Sequence, residues 1–143
     1  MVYLDTSVLI ALLLPESDSL VVRSWLAKNQ GLELGTSDWA VVEFASAMGI
    51  KVRQKALKLR EAESARRMLD TLLAESLRVE VPSRAAFTRA GDLVAQFRQG
   101  LRGGDALHLA TALEAGADRF ITLDRKLISA ARRLKVPLRV LSP

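Results

Sequence analysis

The sequence predicts an α/β domain, a parallel sheet of about five strands flanked by helices. Short apolar runs of strand length alternate with longer helical stretches along the whole chain. The segments between successive strands are long enough for the right-handed crossovers that parallel strands require. The chain has 143 residues, half of them apolar, and no repeat, linker or low-complexity segment. It is therefore expected to form one domain, over residues 1–143, with a substantial core.

Val2 to Asp5 reads as the first strand. Thr6 or Ser7 caps a helix that runs to about Leu14 and stops at Pro15. Ser17 to Asn29 is a second helix, with Leu20, Val21, Trp25 and Leu26 on its apolar side, and Gly31 ends it. Leu32 to Thr36 is a short strand. Ser37 or Asp38 then caps a helix from Trp39 into the early fifties. Arg60 to Ser76 is strongly amphipathic, with Ala62, Ala65, Met68, Leu69, Leu72 and Leu73 on one stripe. Leu77 to Val81 is a strand closed by Pro82, and Ser83 to Arg98 is helical. Three glycines mark Gln99 to Gly104 as a loop. Asp105 opens a helix that ends near Gly116. Arg119 to Leu123 is a strand, Asp124 to Leu134 a helix, and Leu138 to Leu141 a last short strand.

Composition removes several kinds of chemistry. There is no cysteine, hence no disulfide, zinc–thiolate site or thiol nucleophile. A single histidine rules out a two-histidine ribonuclease mechanism. The loop at Gly100 to Gly104 lacks the Lys-Ser/Thr that would follow in a P-loop, and no Gly-x-Ser-x-Gly elbow occurs. No window approaches the ~18 unbroken apolar residues of a membrane span. The start lacks the basic opening and small-residue cleavage site of a secretory signal, so a cytoplasmic location is expected. The formal charge is +5, and 15 of the 21 basic residues are arginine. Such a surface suits nucleic acid or an acidic partner, although a merely solvated basic face is an equal reading of composition alone. Aromatics are 5%, too few for an extensive base-stacking platform.

Four carboxylates stand out from the sixteen. Asp5 follows Val-Tyr-Leu and precedes an almost wholly apolar helix. Glu43 lies in a stretch, Trp39 to Met48, with no other charge. Asp105 follows two glycines and opens Asp-Ala-Leu-His-Leu-Ala-Thr-Ala-Leu. Asp124 follows Phe-Ile-Thr-Leu. An ionised carboxylate in such surroundings costs several kcal/mol unless it is paired or metal-bound. One alone is more readily a helix cap or a buried ion pair. Four together are harder to pair, because few basic residues lie in these segments. Asp5 and Asp124 end strands, Asp105 starts a helix after a loop, and Glu43 lies early in a helix leaving a strand. Asp5 and Asp124 are thus placed at the carboxyl edge of a parallel sheet, where ligands bind, and Glu43 can reach the same edge. Clustered hard oxygen donors suit Mg²⁺ or Mn²⁺ and phosphodiester hydrolysis.

The motifs resemble a known family. Val2 to Ile10 resembles the opening strand of PIN domains, with its acid followed by Thr-Ser. Glu43 in an apolar helix resembles the second acid. Gly104-Asp105-Ala-Leu-His-Leu-Ala-Thr-Ala112 resembles the third-acid segment of VapC-type toxins, and Phe120-Ile-Thr-Leu-Asp124-Arg-Lys-Leu127 their closing Thr-x-Asp motif. The set spans almost the whole chain. The resemblance implies a Rossmann-like PIN fold and an endoribonuclease that uses Mg²⁺, or Mn²⁺ in its place. Asp5, Glu43, Asp105 and Asp124 would hold the metal, and a metal-activated water would cut RNA to leave a 5′-phosphate. It also implies a homodimer and a cognate antitoxin, as in a type II toxin–antitoxin pair.

Around these acids, Thr6 and Ser7 either hold Asp5 or a metal-bound water through their hydroxyls or cap the following helix, and one residue can do both. Thr122, two residues before Asp124, would share its face of a strand and act beside it. Arg102 is a candidate phosphate contact, or a solvated arginine. His108 is expected in the interior or lining the groove, Trp25 and Trp39 in the core or at a dimer contact, and Asp92 outside the site. Surplus apolar surface on the helix from Val8 to Leu14 and on the Ala62–Leu73 stripe points to the homodimer, with an antitoxin helix in a groove. Three other readings stand beside this one. A phosphatase with Asp5 as nucleophile would need an acid where Ser7 stands. A PIN nuclease of RNA maturation or decay would share the chemistry outside any toxin pair. A PIN-like scaffold would bind RNA or protein without cutting.

Overall fold

A computed structural model describes residues 1–143. Its strands are β1 (Val2–Leu4), β2 (Leu34–Ser37), β3 (Arg78–Glu80), β4 (Arg119–Ile121) and β5 (Arg139–Leu141). All pair in parallel, in the order β3-β2-β1-β4-β5. Seven helices connect and cover them: α1 (Thr6–Leu13), α2 (Ser19–Lys28), α3 (Asp38–Arg53), α4 (Leu59–Glu75), α5 (Arg84–Val94), α6 (Gly103–Glu114) and α7 (Arg125–Arg133). The chain moves outward from β1 to β2 and β3, then returns to place β4 on the other side of β1. The β1–β4 junction is therefore the switch point of the sheet, where ligands are expected beyond the strand ends.

Strand periodicity divides the core in two. Val2 and Leu4 of β1, with Ile121 of β4, pack against Val8, Leu9, Val22, Phe44 and Leu69 from α1 to α4. Tyr3 and Phe120, one residue out of phase, face Ala86, Leu109, Leu127 and Ala130 from α5, α6 and α7. Tyr3 and Phe120 stack at 5.2 Å between centroids. Both faces of the sheet are covered, which is why the central strand β1, Val-Tyr-Leu, reads as a continuous apolar run and not as an alternation.

The expected elements are present, with differences that have local causes. α2 buries Val22 and turns Leu20 and Val21 to solvent, 79% and 46% exposed. The expected Trp25 and Leu26 do pack against the core, and Val22, three and four residues before them on the same stripe, takes the place expected for Leu20 and Val21. Met68 likewise lies off the stripe that α4 buries through Ala62, Ala65 and Leu69. The helix expected to reach Arg98 ends at Val94; a 3₁₀ turn at Phe97–Gln99 follows, and Phe97 is exposed. α1 is capped in position by Asp5, not by Thr6 or Ser7, and it starts without a side-chain cap bond. α6 begins at Gly103, so Asp105 is its third residue. β4 ends at Ile121, so Thr122 and Asp124 lie beyond the strand and their shared strand face does not exist.

Candidate metal centre

Asp5, Glu43, Asp105 and Asp124 line one open cleft of ≈ 440 Å³ at the β1–β4 switch point, together with Thr6, Ser7 and Arg102. The sheet brings in Asp5 from the end of β1 and Asp124 from the turn after β4. α3 carries Glu43 from β2, and the first turn of α6 brings Asp105.

Asp5 is buried, 6% exposed, and its Oδ2 accepts from Ser7 Oγ at 2.6 Å and Thr122 Oγ1 at 2.7 Å. Those two hydroxyls are in turn held by the β4–α7 turn. Leu123 N–H donates to Ser7 Oγ, and Asp124 N–H to Thr122 Oγ1. Thr122 thus acts beside Asp124 through a main-chain bond. One Asp5 oxygen is thus spent on side-chain hydroxyls, and neither oxygen accepts from an N–H group of α1.

Glu43 is fixed from a different direction. Thr6 Oγ1 and His108 Nε2 both donate to its Oε2 at 2.8 Å. His108 is fully buried, and its Nδ1 lies 2.7 Å from the Tyr3 hydroxyl, which donates to Ser37 Oγ. A buried chain therefore runs Ser37–Tyr3–His108–Glu43 beneath the cleft. The interior position expected for His108 is correct, but its bond to Glu43 is not visible in the sequence. One turn of helix from Asp105 is the only signal there, and it does not name a partner on α3. Gly104 is a second residue that sequence reasoning misses: a Cβ there would overlap Glu43 Oε1 and crowd Trp39 Nε1. The absent side chain lets α6 approach α3, and the paired glycines before Asp105 are the available sign.

The electrostatics follow from this crowding. No lysine or arginine forms an ion pair with any of the four acids; His108 is the one basic side chain within ion-pair distance of them, 2.8 Å from Glu43 and 3.7 Å from Asp5. Burial pushes the Asp105 carboxyl up, and repulsion from Asp5, Asp124 and Glu43 adds to it, to about 6, with Arg102 pulling the other way. Burial would raise Glu43 too, but its bonds to His108, the His108 charge, Thr6 and the nearby Trp39 N–H together hold it below the usual range. Asp124 spends Oδ1 as the cap of α7, accepting from Lys126 and Leu127 N–H. The ligand atoms of Asp5, Glu43 and His108 lie within 4.8 Å of one another, with Asp105 and Asp124 on the surrounding wall. Asp92 is exposed on α5, away from the cleft.

A parallel sheet of this order with four acids at its switch point defines a PIN domain, and the chain belongs to the PIN-domain family, whose model matches residues 2–133. Within the family the similarity is to VapC ribonucleases. The chain is 30% identical over 138 residues to Ribonuclease VapC47 of Mycobacterium tuberculosis (strain CDC 1551 / Oshkosh), covering 94% of this chain and 92% of the relative. Its fold is similar to that of Mycobacterium tuberculosis VapC20, described as a sarcin–ricin loop cleaving toxin, with TM-score 0.71, 19% identity and coverage of 91% and 95%. It is also similar to a chain of VapBC2 from Rickettsia felis bound to a fragment of promoter DNA, with TM-score 0.66, 19% identity and coverage of 100% and 99%. No helix is long and apolar enough to cross a membrane.

Proposed function

We propose that the chain is an endoribonuclease dependent on Mg²⁺, with Mn²⁺ as a substitute, and that it acts in the cytoplasm as the toxin of a type II toxin–antitoxin pair. The observation that carries this reading is the convergence of Asp5, Glu43, Asp105 and Asp124 on one cleft with no lysine or arginine paired to them. Such a concentration of charge asks for a cation. The donors are hard oxygens, which suit Mg²⁺ or Mn²⁺. His108 Nε2 is already engaged by Glu43, so the nitrogen serves the ligand and not the ion.

Asp5, Glu43, Asp105 and Asp124 would hold the metal, and a bound ion supplies a nucleophilic water at neutral pH and charge neutralisation on the phosphate. The protein's own contribution is preorganisation. Ser7 and Thr122 fix one oxygen of Asp5, leaving the other toward the cleft. Thr6 and His108 hold Glu43 against the repulsion of its neighbours. Arg102 offers a guanidinium at the rim for the substrate phosphate. The cleft is open and polar, in keeping with a polymer backbone laid across it.

The toxin role rests on the near full-length similarity to a VapC ribonuclease and on the toxin–antitoxin complexes among the similar folds. An apolar furrow of ≈ 370 Å³ between α3 and α4, lined by Met48, Val52, Leu59 and Ala62, suits the apolar side of an antitoxin helix. The homodimer belongs to the same proposal. α1 packs within the monomer's own core, so it does not supply the dimer surface, which would have to come from large apolar side chains that stay exposed, such as Leu20, Val81 and Phe97. Sedimentation as a monomer at micromolar concentration would remove the dimer.

The test is cleavage of structured RNAs by antitoxin-free protein with Mg²⁺ or Mn²⁺, with EDTA, and with Asp5→Asn. Discrete cuts that need the metal and fall at least about 100-fold in the mutant are expected. Cutting that survives either change overturns the mechanism. Metal binding without any cutting would favour a binding scaffold.

A further inference from the structure

The formal charge of +5 is not spread over the chain. Residues 125–143 carry Arg125, Lys126, Arg132, Arg133, Lys135 and Arg139 and no carboxylate, so the rest of the protein is slightly acidic. Three of these six cations meet in one place. Arg125, Lys126 and Arg133 line a surface hollow of ≈ 460 Å³ with Gln99, Gly100 and Ser129, and no apolar side chain takes part.

This hollow is built and not merely basic. Arg133 Nε donates to Gln99 Oε1 at 2.9 Å, and its Nη2 donates to the Gln99 carbonyl at 2.8 Å, which fixes the guanidinium against the loop. Gly100 has φ +67, a left-handed turn that suits glycine and closes the wall. Arg125, Lys126 and Arg133 have no carboxylate in an ion pair, so three like charges stand together unneutralised. Two of the main-chain N–H groups at the start of α7, those of Lys126 and Leu127, are already taken by the Asp124 side chain. Any anion here would be held by side chains.

The hollow and the acid cleft have no lining residue in common, but they are lined by neighbouring residues of the same two segments. Asp124 lines the cleft, and the next residue, Arg125, lines the hollow. Arg102 lines the cleft, while Gln99 and Gly100, in the same short loop, line the hollow. A polyanion lying across the cleft would therefore have its next phosphates beside Arg125, Lys126 and Arg133.

We propose that this hollow is a phosphate-binding subsite that grips the RNA backbone beside the bond being cut. The inference rests on the endoribonuclease reading. It gives the acid cleft a complementary electrostatic partner: the cleft repels phosphate until a cation is present, and the hollow attracts it throughout. Arg133 is held against Gln99, and Arg125 and Lys126 supply cations with no side-chain partner in the protein.

The test is binding of a fluorescein-labelled single-stranded RNA in EDTA, where no cleavage is expected, over a salt titration. Arg125→Gln/Lys126→Gln is compared with Arg132→Gln/Arg139→Gln, which removes the same charge from the same stretch but outside the hollow. Thermal unfolding checks that both variants fold. The hollow variant should bind about tenfold or more weakly. The slope of log affinity against log salt should fall by roughly 0.7 for each phosphate no longer neutralised. The control should change by only a few fold, and with Mn²⁺ the hollow variant should show a raised KM. Equal losses in both variants, or none in the hollow variant, would overturn the subsite. So would a hollow variant that loses binding to polyaspartate but keeps RNA, which would assign the hollow to an acidic protein segment. Wild-type cleavage separates the two levels. If wild type cuts RNA and the hollow variant matches it, the subsite alone falls; if wild type neither binds nor cuts RNA, the endoribonuclease reading falls with it.

Discussion

The two walls of the acid cleft are built on opposite principles. On one wall, Asp5 and Glu43 are each held by two short side-chain hydrogen bonds, from Ser7 and Thr122 and from Thr6 and His108. On the other, Asp105 has burial and three like charges around it and is pushed up to about 6. Hydrogen bonds to a carboxylate favour its charged form and fix its direction; burial beside other anions disfavours that form and leaves the group dependent on a cation. The fixed wall should therefore govern geometry and stability, and the open wall should govern how binding responds to pH.

The sharpest way to break this contrast is at His108. His108→Leu leaves the Tyr3 hydroxyl and Glu43 without their buried partner, at a cost of about 2–4 kcal/mol. Metal affinity should fall about 10–100-fold. Urea unfolding and Mn²⁺ titration read the two effects. His108→Gln, which keeps a donor, should recover part of both; equal loss in the two variants would mean that His108 only fills space.

Thr122→Val comes next. It removes a hydroxyl that serves Asp5 and the Asp124 N–H together, so about 1–3 kcal/mol of stability should go. Cleavage should drop with it, through kcat more than KM, because the substrate does not touch Thr122. Unchanged kcat would show that Asp5 needs no second support.

The smallest effect tests the open wall. Folding raises the Asp105 pKa from its ordinary 3.8 to about 6, so folding favours the protonated form. In metal-free protein this group's contribution to stability is complete below about pH 4 and is lost as pH rises through 6. Metal binding should strengthen over the same interval and release a proton, which calorimetry in two buffers measures. Asp105→Asn should abolish that proton release. A release that persists would place the titration on another acid.

How much of this is legible in the chain differs between the same two walls. The acids themselves are, because a carboxylate inside Trp39–Met48 or after Val2-Tyr-Leu has no local partner to explain it. The hydroxyls of Thr6, Ser7 and Thr122 stand out beside them. Their targets do not, because Thr6 reaches Glu43, 37 positions on, and Thr122 reaches Asp5 across 117. Periodicity reads α4's buried stripe with only Met68 misplaced, and in α2 it places Trp25 and Leu26 correctly; Leu20 and Val21 are misplaced, because Val22 is the one of the three apolar neighbours that lies three and four residues before that pair.

The sequence by itself determined the alternation of strands and helices, the parallel sheet that such crossovers impose, and the four acids that stand apart in apolar surroundings. Local propensity and the solvation cost of charge act within a few residues, and they are written there. The tertiary structure alone decided which acids meet and which partners hold them. It set His108 under Glu43, let α6 approach α3 at Gly104, and joined Gln99 to Arg133 beside the cleft. Those contacts join segments that are distant in the chain, and their energies exist only once the sheet order has brought the segments together.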